Sequence, residues 1–311
     1  MPSWCPAASW VVPLESELAL DLLFLSLIKL FQQFLRILPE TCAASVGAFL
    51  GRVALALLSQ RRKIALVNVR TIVQDVSDAQ AKDVVRSCFE KLGINFVELL
   101  LIPYLPKQSF PERFHMENMR YVVEATKLNK GILALIFHYG NWEIMGIASL
   151  LLKREVIALA RPLKGQRFLQ GFINDLRAAT GLTVIPNQDT ARDAMKYLKE
   201  NRIVAILGDQ REKRSKGVYV ELFGKKVPTS KGIAMLAMRT GAPVIPVYAR
   251  REGFLRYTIV YCEPIEIERK GNIEELIYKN TRRINAVLEA LIAAQPDEWF
   301  LVHRRWGRDA Y

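Results

Sequence analysis

The sequence lacks the short motifs that mark several large enzyme classes. It has no GxSxG nucleophile elbow, no HExxH zinc motif, no GxGxxG fingerprint for dinucleotides and no Walker A spacing. The stretch GKKVPTSKG combines glycine, lysine and hydroxyl residues, but not at the distances that a nucleotide phosphate requires. The sequence therefore gives no support to a serine hydrolase, a zinc peptidase, a dehydrogenase or a P-loop enzyme.

Cysteine and histidine are also scarce, with four of the first and three of the second among 311 residues. No two cysteines form a CxxC pair, which argues against a disulfide framework and against a cysteine-based metal site. The three histidines lie far apart in the sequence, so a histidine metal site has weak support. Unpaired cysteines suit a reducing compartment, and hence the cytosolic side of a membrane.

Acidic residues are outnumbered, since 44 lysines and arginines face 31 aspartates and glutamates for a net charge of +13. Such a surface attracts nucleic acid, anionic lipid or an acidic carrier protein, although a basic soluble protein has the same balance. No zinc-finger spacing or RNA-recognition signature accompanies the basic clusters at 60–63 and 211–216, so we expect no nucleic-acid partner. A mean hydropathy of +0.10 favours a protein that sits on a membrane.

Residues 1–28 contain no lysine or arginine, which excludes the basic start of a secretory signal peptide. Residues 14–38 contain no proline or glycine, but Asp21 and Lys29 interrupt their apolar run. A helix lying in the lipid interface and a membrane span both fit this pattern, and a soluble helix packed on the core is a third alternative. If the helix spans, the positive charges after it place the downstream domain in the cytoplasm.

The sequence divides into an N-terminal membrane-anchoring or interfacial helix (1–40) and a larger domain (41–311). The larger domain is predicted to be helical over 41–116, with SDAQ (77–80) as a helix cap, and α/β over 117–311. Short apolar runs alternate there with helical patterns, which predicts a mixed, mostly parallel sheet flanked by helices. The predicted strands include 131–137, 154–160, 182–186 and 202–208, and the predicted helices include 141–153, 164–179, 189–200, 230–240 and 273–294.

The motif HYGNWE (138–143) lies where the first of these strands should end. His138 is predicted to be the first residue beyond the strand, and Glu143 to lie in the first turn of the next helix. The carboxylate could then accept a hydrogen bond from one ring nitrogen, while the other nitrogen acts as a general base. Gly140 permits a tight turn. The alternative is that His138 only caps the helix or satisfies the turn.

HYGNWE resembles the H-x4-E/D motif of glycerolipid acyltransferases, and in its H-x-G-N-W-E form the bacterial lipid A late acyltransferases of the lauroyl and myristoyl type. Four further stretches resemble the same family in the same order, so the resemblance covers roughly 20–307. They are RRKIALVNVR, RPLKGQRFLQGFINDLRAATG, GDQREKRSKGVYVELFGKKVPTSKGIAMLAMRTGAPVIPV and EWFLVHRRW. One departure is Arg211, where the family often has aspartate, and mycobacterial mannolipid acyltransferases share the H-x4-E/D motif.

The resemblance implies transfer of an acyl chain from a thioester, either acyl carrier protein or acyl-CoA, to a hydroxyl of a lipid A precursor. His138 would remove the hydroxyl proton, Glu143 would orient His138, and Arg161 would stabilise an oxyanion or hold a phosphate. No covalent intermediate, cofactor or metal is needed. Residues expected to bind substrate or support the site are Gly140, Asn141, Trp142, Asp209, Gln210, Lys213 and Arg214.

The expected partners are anionic membrane lipid, a lipid acceptor and an acidic acyl carrier protein. The expected location is the bacterial inner membrane, with the catalytic domain on its cytoplasmic face. Two alternatives stay open at this point. One is an acyltransferase for another acceptor, such as a lysophospholipid, an ornithine lipid or a glycolipid, and the other is a non-catalytic lipid-binding protein.

Overall fold

The structure is a computed structural model that describes residues 15–160, 167–186, 190–307 and 310–311. The helices are α1 (Glu15–Arg36), α2 (Glu40–Leu57), α3 (Ser59–Ile72), α4 (Asp78–Leu101), α5 (Phe110–Arg113), α6 (Arg120–Lys127), α7 (Ile147–Leu152), α8 (Arg167–Ala179), α9 (Thr190–Lys199), α10 (Gly232–Thr240) and α11 (Ile273–Ala294). The strands are β1 (Phe114–Glu117), β2 (Ile132–Gly140), β3 (Val156–Ala160), β4 (Leu182–Pro186), β5 (Ile203–Leu207), β6 (Val218–Leu222), β7 (Lys225–Thr229), β8 (Val244–Gly253) and β9 (Arg256–Tyr261).

Seven strands form one sheet in the order β1-β9-β8-β2-β5-β3-β4, and β6 and β7 form a separate antiparallel hairpin. Within the seven-stranded sheet only β8 and β9 pair antiparallel, through the turn that joins them. The sheet is therefore mixed and mostly parallel, as predicted. The carboxyl ends of β2, β5 and β8 lie at the same edge, where sites in α/β sheets gather.

Both faces of the sheet are covered, which explains why β2 is apolar at almost every position. Leu133, Leu135 and Phe137 point into a core that includes residues of α3, α4 and α11. Ile132 and Ala134 point into a second core that includes residues of α1, α6 and α7. β2 is consequently held from both sides, and the side chains at its end have fixed positions.

The helical first hundred residues pack around α4, which starts at the predicted SDAQ cap. Ser77 and Gln80 form a capping box, each side chain bonding the backbone nitrogen of the other. α2 crosses α4 at very short range, since a Cβ on Gly93 would lie 2.1 Å from the carbonyl oxygen of Gly47. Only glycine permits this approach of the two backbones.

α1 lies against the rest of the chain along one side only. Leu35 is buried, and the Gln32 amide donates a hydrogen bond to the Leu100 carbonyl at 2.7 Å. The other side exposes large apolar residues, namely Leu22, Leu23, Phe24, Leu27, Leu30 and Phe34. By length and composition, α2 is the one helix of the described residues that could cross a membrane, and 17% of that segment is buried.

Two boundaries differ from prediction near the motif. β2 continues to Gly140, so His138 lies within the end of the strand and not after it. The predicted helix 141–153 is a 3-10 helix (Trp142–Gly146) followed by α7. The sheet also begins before residue 117, because β1 pairs with β9 from Phe114 onward. By contrast, β4 and α11 have the predicted bounds.

Candidate active site

His138 and Asp209 meet at the carboxyl ends of two neighbouring strands. β2 and β5 pair in parallel with Ile136 opposite Leu207, so His138 and Asp209 each lie two positions beyond the last pair. The Nδ1 atom of His138 lies 2.7 Å from Oδ1 of Asp209. Both side chains are largely shielded from water, at 12% and 3% exposure. Strand register therefore forms a histidine–carboxylate pair from residues far apart in the sequence.

Asp209 is held in its ionised form. Burial alone would raise the pKa of this carboxyl, but its pairing with His138 and a hydrogen bond donated by Trp299 outweigh burial, and the pKa lies below its ordinary value. The indole Nε1 of Trp299 donates to Oδ2 at 3.0 Å. An ionised carboxylate only accepts, so the proton of the neutral imidazole is on Nδ1 and the lone pair is on Nε2.

The Nε2 atom of His138 faces the exposed side chain of Gln210. The amide Nε2 of Gln210 lies 3.3 Å from it and can donate to the lone pair. An imidazole with one nitrogen bonded to a carboxylate and the other directed toward a polar surface group has the arrangement of a general base. The position of the Gln210 amide marks where a substrate hydroxyl would approach.

Glu143 does not take the place predicted for it. Its carboxylate forms a bidentate pair with Arg177 of α8, with both nitrogen–oxygen distances at 2.8 Å. The indole of Trp142 donates a third hydrogen bond to it at 3.2 Å. The predicted hydrogen bond between Glu143 and His138 is therefore wrong, because Asp209 occupies Nδ1. The hydrogen bonds that Arg177 donates to Glu143 raise the pKa of the Arg177 guanidinium, so Arg177 is charged.

Two aromatic rings restrict the imidazole of His138. Its centroid lies 5.0 Å from the ring of Trp142 and 5.7 Å from the ring of Phe300. The backbone nitrogen of Phe300 also donates to the His138 carbonyl at 2.9 Å. The C-terminal segment (residues 299–306) thus packs directly on the site and contributes to it through Trp299 and Phe300.

Gly140 is required by the backbone at the end of β2. Its φ is +63°, and a Cβ there would lie 2.6 Å from the carbonyl oxygen of Ala249. The pairing of β2 with β8 shifts register between Ile136 and Gly140. The backbone therefore changes direction at Gly140. The amide of the next residue, Asn141, donates a hydrogen bond to the buried carboxylate of Glu98 at 2.9 Å.

The three remaining predicted residues lie in an exposed turn or outside the described part of the chain. Arg161 belongs to residues 161–166, which lie outside the described residues. Lys213 and Arg214 lie in the exposed turn before β6. Among the described residues, no three His, Cys, Asp or Glu side chains are grouped to hold a metal ion.

The sequence matches the family described as bacterial lipid A biosynthesis acyltransferase over residues 16–308. The chain belongs to this family. It is therefore an acyltransferase, in agreement with the prediction from HYGNWE and the accompanying stretches.

Curated relatives of this acyltransferase act in two kinds of lipid biosynthesis. A phosphatidylinositol mannoside acyltransferase of Mycolicibacterium smegmatis is 25% identical over 80% of this chain and 79% of the relative. A lipid A biosynthesis lauroyltransferase of Escherichia coli K12 is 22% identical over 86% of each chain. A palmitoleoyltransferase of the same organism is 21% identical over the same shares.

Sequence reasoning on the acyltransferase missed three residues that contact His138, Glu143 or Asp209. Arg177, Trp299 and Phe300 all lie inside the stretches that carry the resemblance, but nothing in their spacing relates them to His138. The sequence did contain a signal for Trp299. A tryptophan in the aromatic and basic stretch EWFLVHRRW is a candidate for a buried ring whose indole N–H donates a hydrogen bond to a nearby acceptor. The partners of Arg177 and Phe300 depend on contacts between elements and leave no local pattern.

Proposed function

We propose that this acyltransferase moves a fatty acyl chain from a thioester donor to a hydroxyl group of a lipid A precursor. His138 serves as the general base and Asp209 as the carboxylate that orients it. The observation that carries this proposal is the 2.7 Å contact between His138 Nδ1 and the ionised Asp209, with Nε2 directed to the surface. Asp209 thus takes the orienting role that the sequence suggested for Glu143.

The reaction proceeds by direct transfer. Nε2 of His138 removes the proton of the acceptor hydroxyl as its oxygen bonds to the thioester carbonyl carbon. Asp209 stays ionised and stabilises the imidazolium that forms. The carbon–sulfur bond then breaks, and the imidazolium returns its proton to the departing thiolate. An ester and a free thiol are the products, and no group on the protein is acylated.

Glu143 acts in this scheme through packing. Its pair with Arg177 ties the 3-10 helix that carries Trp142 to α8, with 19% and 23% exposure of the two side chains. Trp142 in turn lies against the imidazole. The pair therefore keeps the aromatic wall beside His138 in place, which is a positioning role.

The lipid acceptor is proposed from the names of the relatives and from the net positive charge of this chain. Lipid A synthesis is named for the two E. coli relatives, and the excess of basic residues suits an acceptor with phosphates or an acidic acyl carrier protein as donor. The exposed Lys213 and Arg214 are candidates for these contacts. A phosphatidylinositol mannoside is the second candidate acceptor, favoured by the M. smegmatis relative.

The exposed apolar side of α1 supports the proposal that the enzyme acts while bound to a membrane surface. Large apolar residues on a single face are typical of a helix that lies in the lipid interface. We therefore infer attachment to a membrane surface, and we propose the cytoplasmic face of the bacterial inner membrane because the family is described as one of bacterial lipid A biosynthesis.

The test uses detergent-solubilised wild type and the His138→Ala variant. Each receives acyl carrier protein thioester or acyl-CoA together with a lipid A precursor, a phosphatidylinositol mannoside or a lysophospholipid, and products are identified by mass spectrometry. We expect wild type alone to acylate the lipid A precursor. Acylation of another lipid alone would overturn the acceptor, and equal activity of both proteins would overturn the base.

A further inference from the structure

Glu98 of α4 is the centre of a buried polar cluster behind the HYGNWE motif. Its side chain is fully buried, at 0% exposure. Oε2 accepts hydrogen bonds from the Asn141 amide and the Tyr257 hydroxyl, and Oε1 accepts from the Arg251 guanidinium and the Leu255 backbone nitrogen. Two segments of the fold, the HYGNWE motif and the β8–β9 hairpin, thus converge on one carboxylate of α4.

Asn95, nearly one helical turn earlier on α4, contacts the neighbouring residue of the motif. Its amide nitrogen donates to the Gly140 carbonyl at 2.9 Å. Its amide oxygen accepts from Arg251, the residue that also bonds Glu98. α4 therefore contacts both Gly140, the last residue of β2, and Asn141, the residue directly after it.

A buried carboxylate is a poor way to stabilise a helix against a sheet. Removing an ion pair from water costs free energy that its attraction often fails to return, so apolar residues would serve stability as well. The four hydrogen bonds that Glu98 accepts also give each of the four donors a defined position. One of those donors belongs to the motif.

We propose that Asn95 and Glu98 are positioning residues of the acyltransferase, fixing Gly140 and Asn141 and thereby the orientation of His138 toward Asp209. This inference rests on the proposed role of His138. In this inference Asn141 of HYGNWE contacts α4 and does not touch the substrate, whereas His138 acts on the reacting groups.

The first test compares Asn95→Ala with Asn280→Ala. Asn280 is an equally suitable buried asparagine, which bonds the backbone nitrogen and carbonyl of Glu268 at 2.9 and 2.8 Å and lies outside the site. Below the unfolding temperature of both variants, we expect Asn95→Ala to lower kcat about 100-fold with the KM for the acyl donor unchanged. Asn280→Ala should lower Tm comparably and keep the wild-type kcat. Equal kcat values in the two variants would overturn the proposal.

The second test reverses a hydrogen bond. In Glu98→Gln, an amide nitrogen faces the Asn141 amide nitrogen, so either two donors oppose each other or the Asn141 amide turns over and leaves its own nitrogen at the buried position where Oδ1 has no partner. Adding Asn141→Asp supplies an acceptor again, so we expect the double variant to regain about tenfold in kcat over Glu98→Gln. A double variant no faster than Glu98→Gln would contradict the positioning role.

A third measurement does not depend on turnover. The chain has three histidines, so the Nδ1 proton of His138 can be assigned by NMR through its loss in His138→Ala. We expect this hydrogen-bonded signal to shift or disappear in Asn95→Ala and to persist in Asn280→Ala. If no acceptor is acylated by wild type but the signal responds in this way, the proposed function fails and the positioning inference stands. An unchanged signal in Asn95→Ala overturns the inference.

Discussion

The replacement of Asp209 by asparagine tests the arrangement at the site most directly. Asp209 accepts two hydrogen bonds, from Nδ1 of His138 on one oxygen and from the indole of Trp299 on the other. Both partners are N–H donors, whereas an asparagine amide offers only one accepting oxygen. One of the two donors must therefore face an amide nitrogen in the variant.

The imidazole of His138 will change tautomer, because an indole can only donate a hydrogen bond whereas an imidazole can carry its proton on the other nitrogen. The amide oxygen then turns toward Trp299, and the amide nitrogen donates to Nδ1. The imidazole carries its proton on Nε2, where it can no longer accept one from a hydroxyl. The same exchange in a serine protease lowers kcat about 10⁴-fold, and we expect a loss of that order here.

Trp299→Phe provides a matched second change, since it removes the indole donor and keeps an aromatic ring. In the Asp209→Asn/Trp299→Phe double variant the amide oxygen is free to face His138. We expect this double variant to be at least about tenfold faster than Asp209→Asn alone, although each single change is harmful.

The assay follows thiol release from the acyl donor and identifies the acylated lipid by mass spectrometry, with thermal unfolding as the check on folding. A kcat for Asp209→Asn within about tenfold of wild type would refute the role of the carboxylate. A double variant slower than Asp209→Asn would refute the argument from proton position.

Three further outcomes follow from the structure. Arg177→Leu leaves the largely buried Glu143 carboxylate unpaired and should lower the free energy of unfolding in urea by about 1–3 kcal/mol, and no change would contradict the bidentate pair. Burial lowers the pKa of His303 to about 4, so between about pH 6.5 and 4 this histidine is protonated in the unfolded chain only, and the free energy of unfolding decreases as the pH is lowered through that range. His303→Gln should make the free energy of unfolding less dependent on pH in this range. An unchanged dependence would refute the assignment of the effect to His303. Leu27→Glu on the exposed side of α1 should reduce sedimentation with anionic vesicles, whereas Val123→Glu, similarly exposed on α6, should not, and equal binding of the two variants would count against α1 as the membrane contact.

Much of the fold could be predicted because its elements have local causes. The apolar run before His138 is a buried strand, and SDAQ caps α4 through its own side chains. The boundaries of β4 and α11 follow from hydrophobic patterns alone. The sequence pattern predicts too early an end for β2, because the polar residues after Phe137 resemble a turn while the chain continues in the strand to Gly140.

The site could be predicted only in part, because its geometry is non-local. The position of His138 after an apolar run indicates a site residue, and the local pattern predicts Glu143, five residues on, as its partner. The sequence predicts Asp209 only as a supporting residue, and the register of β2 and β5, which no local pattern reveals, makes it the partner of His138. The partners of Arg177 and Trp299 are not predictable from local sequence either, because their contacts depend on how α8 and the C-terminal segment dock.

The docking of residues 299–306 has a consequence for synthesis of the protein. A chain leaving the ribosome presents HYGNWE early, then β5 with Asp209, and only much later Trp299 and Phe300. Until these two residues arrive, Asp209 lacks one of its donors and the imidazole lacks one of its walls. A nascent chain therefore carries the complete motif without a complete site, and the site is assembled only after the C-terminal segment has folded back.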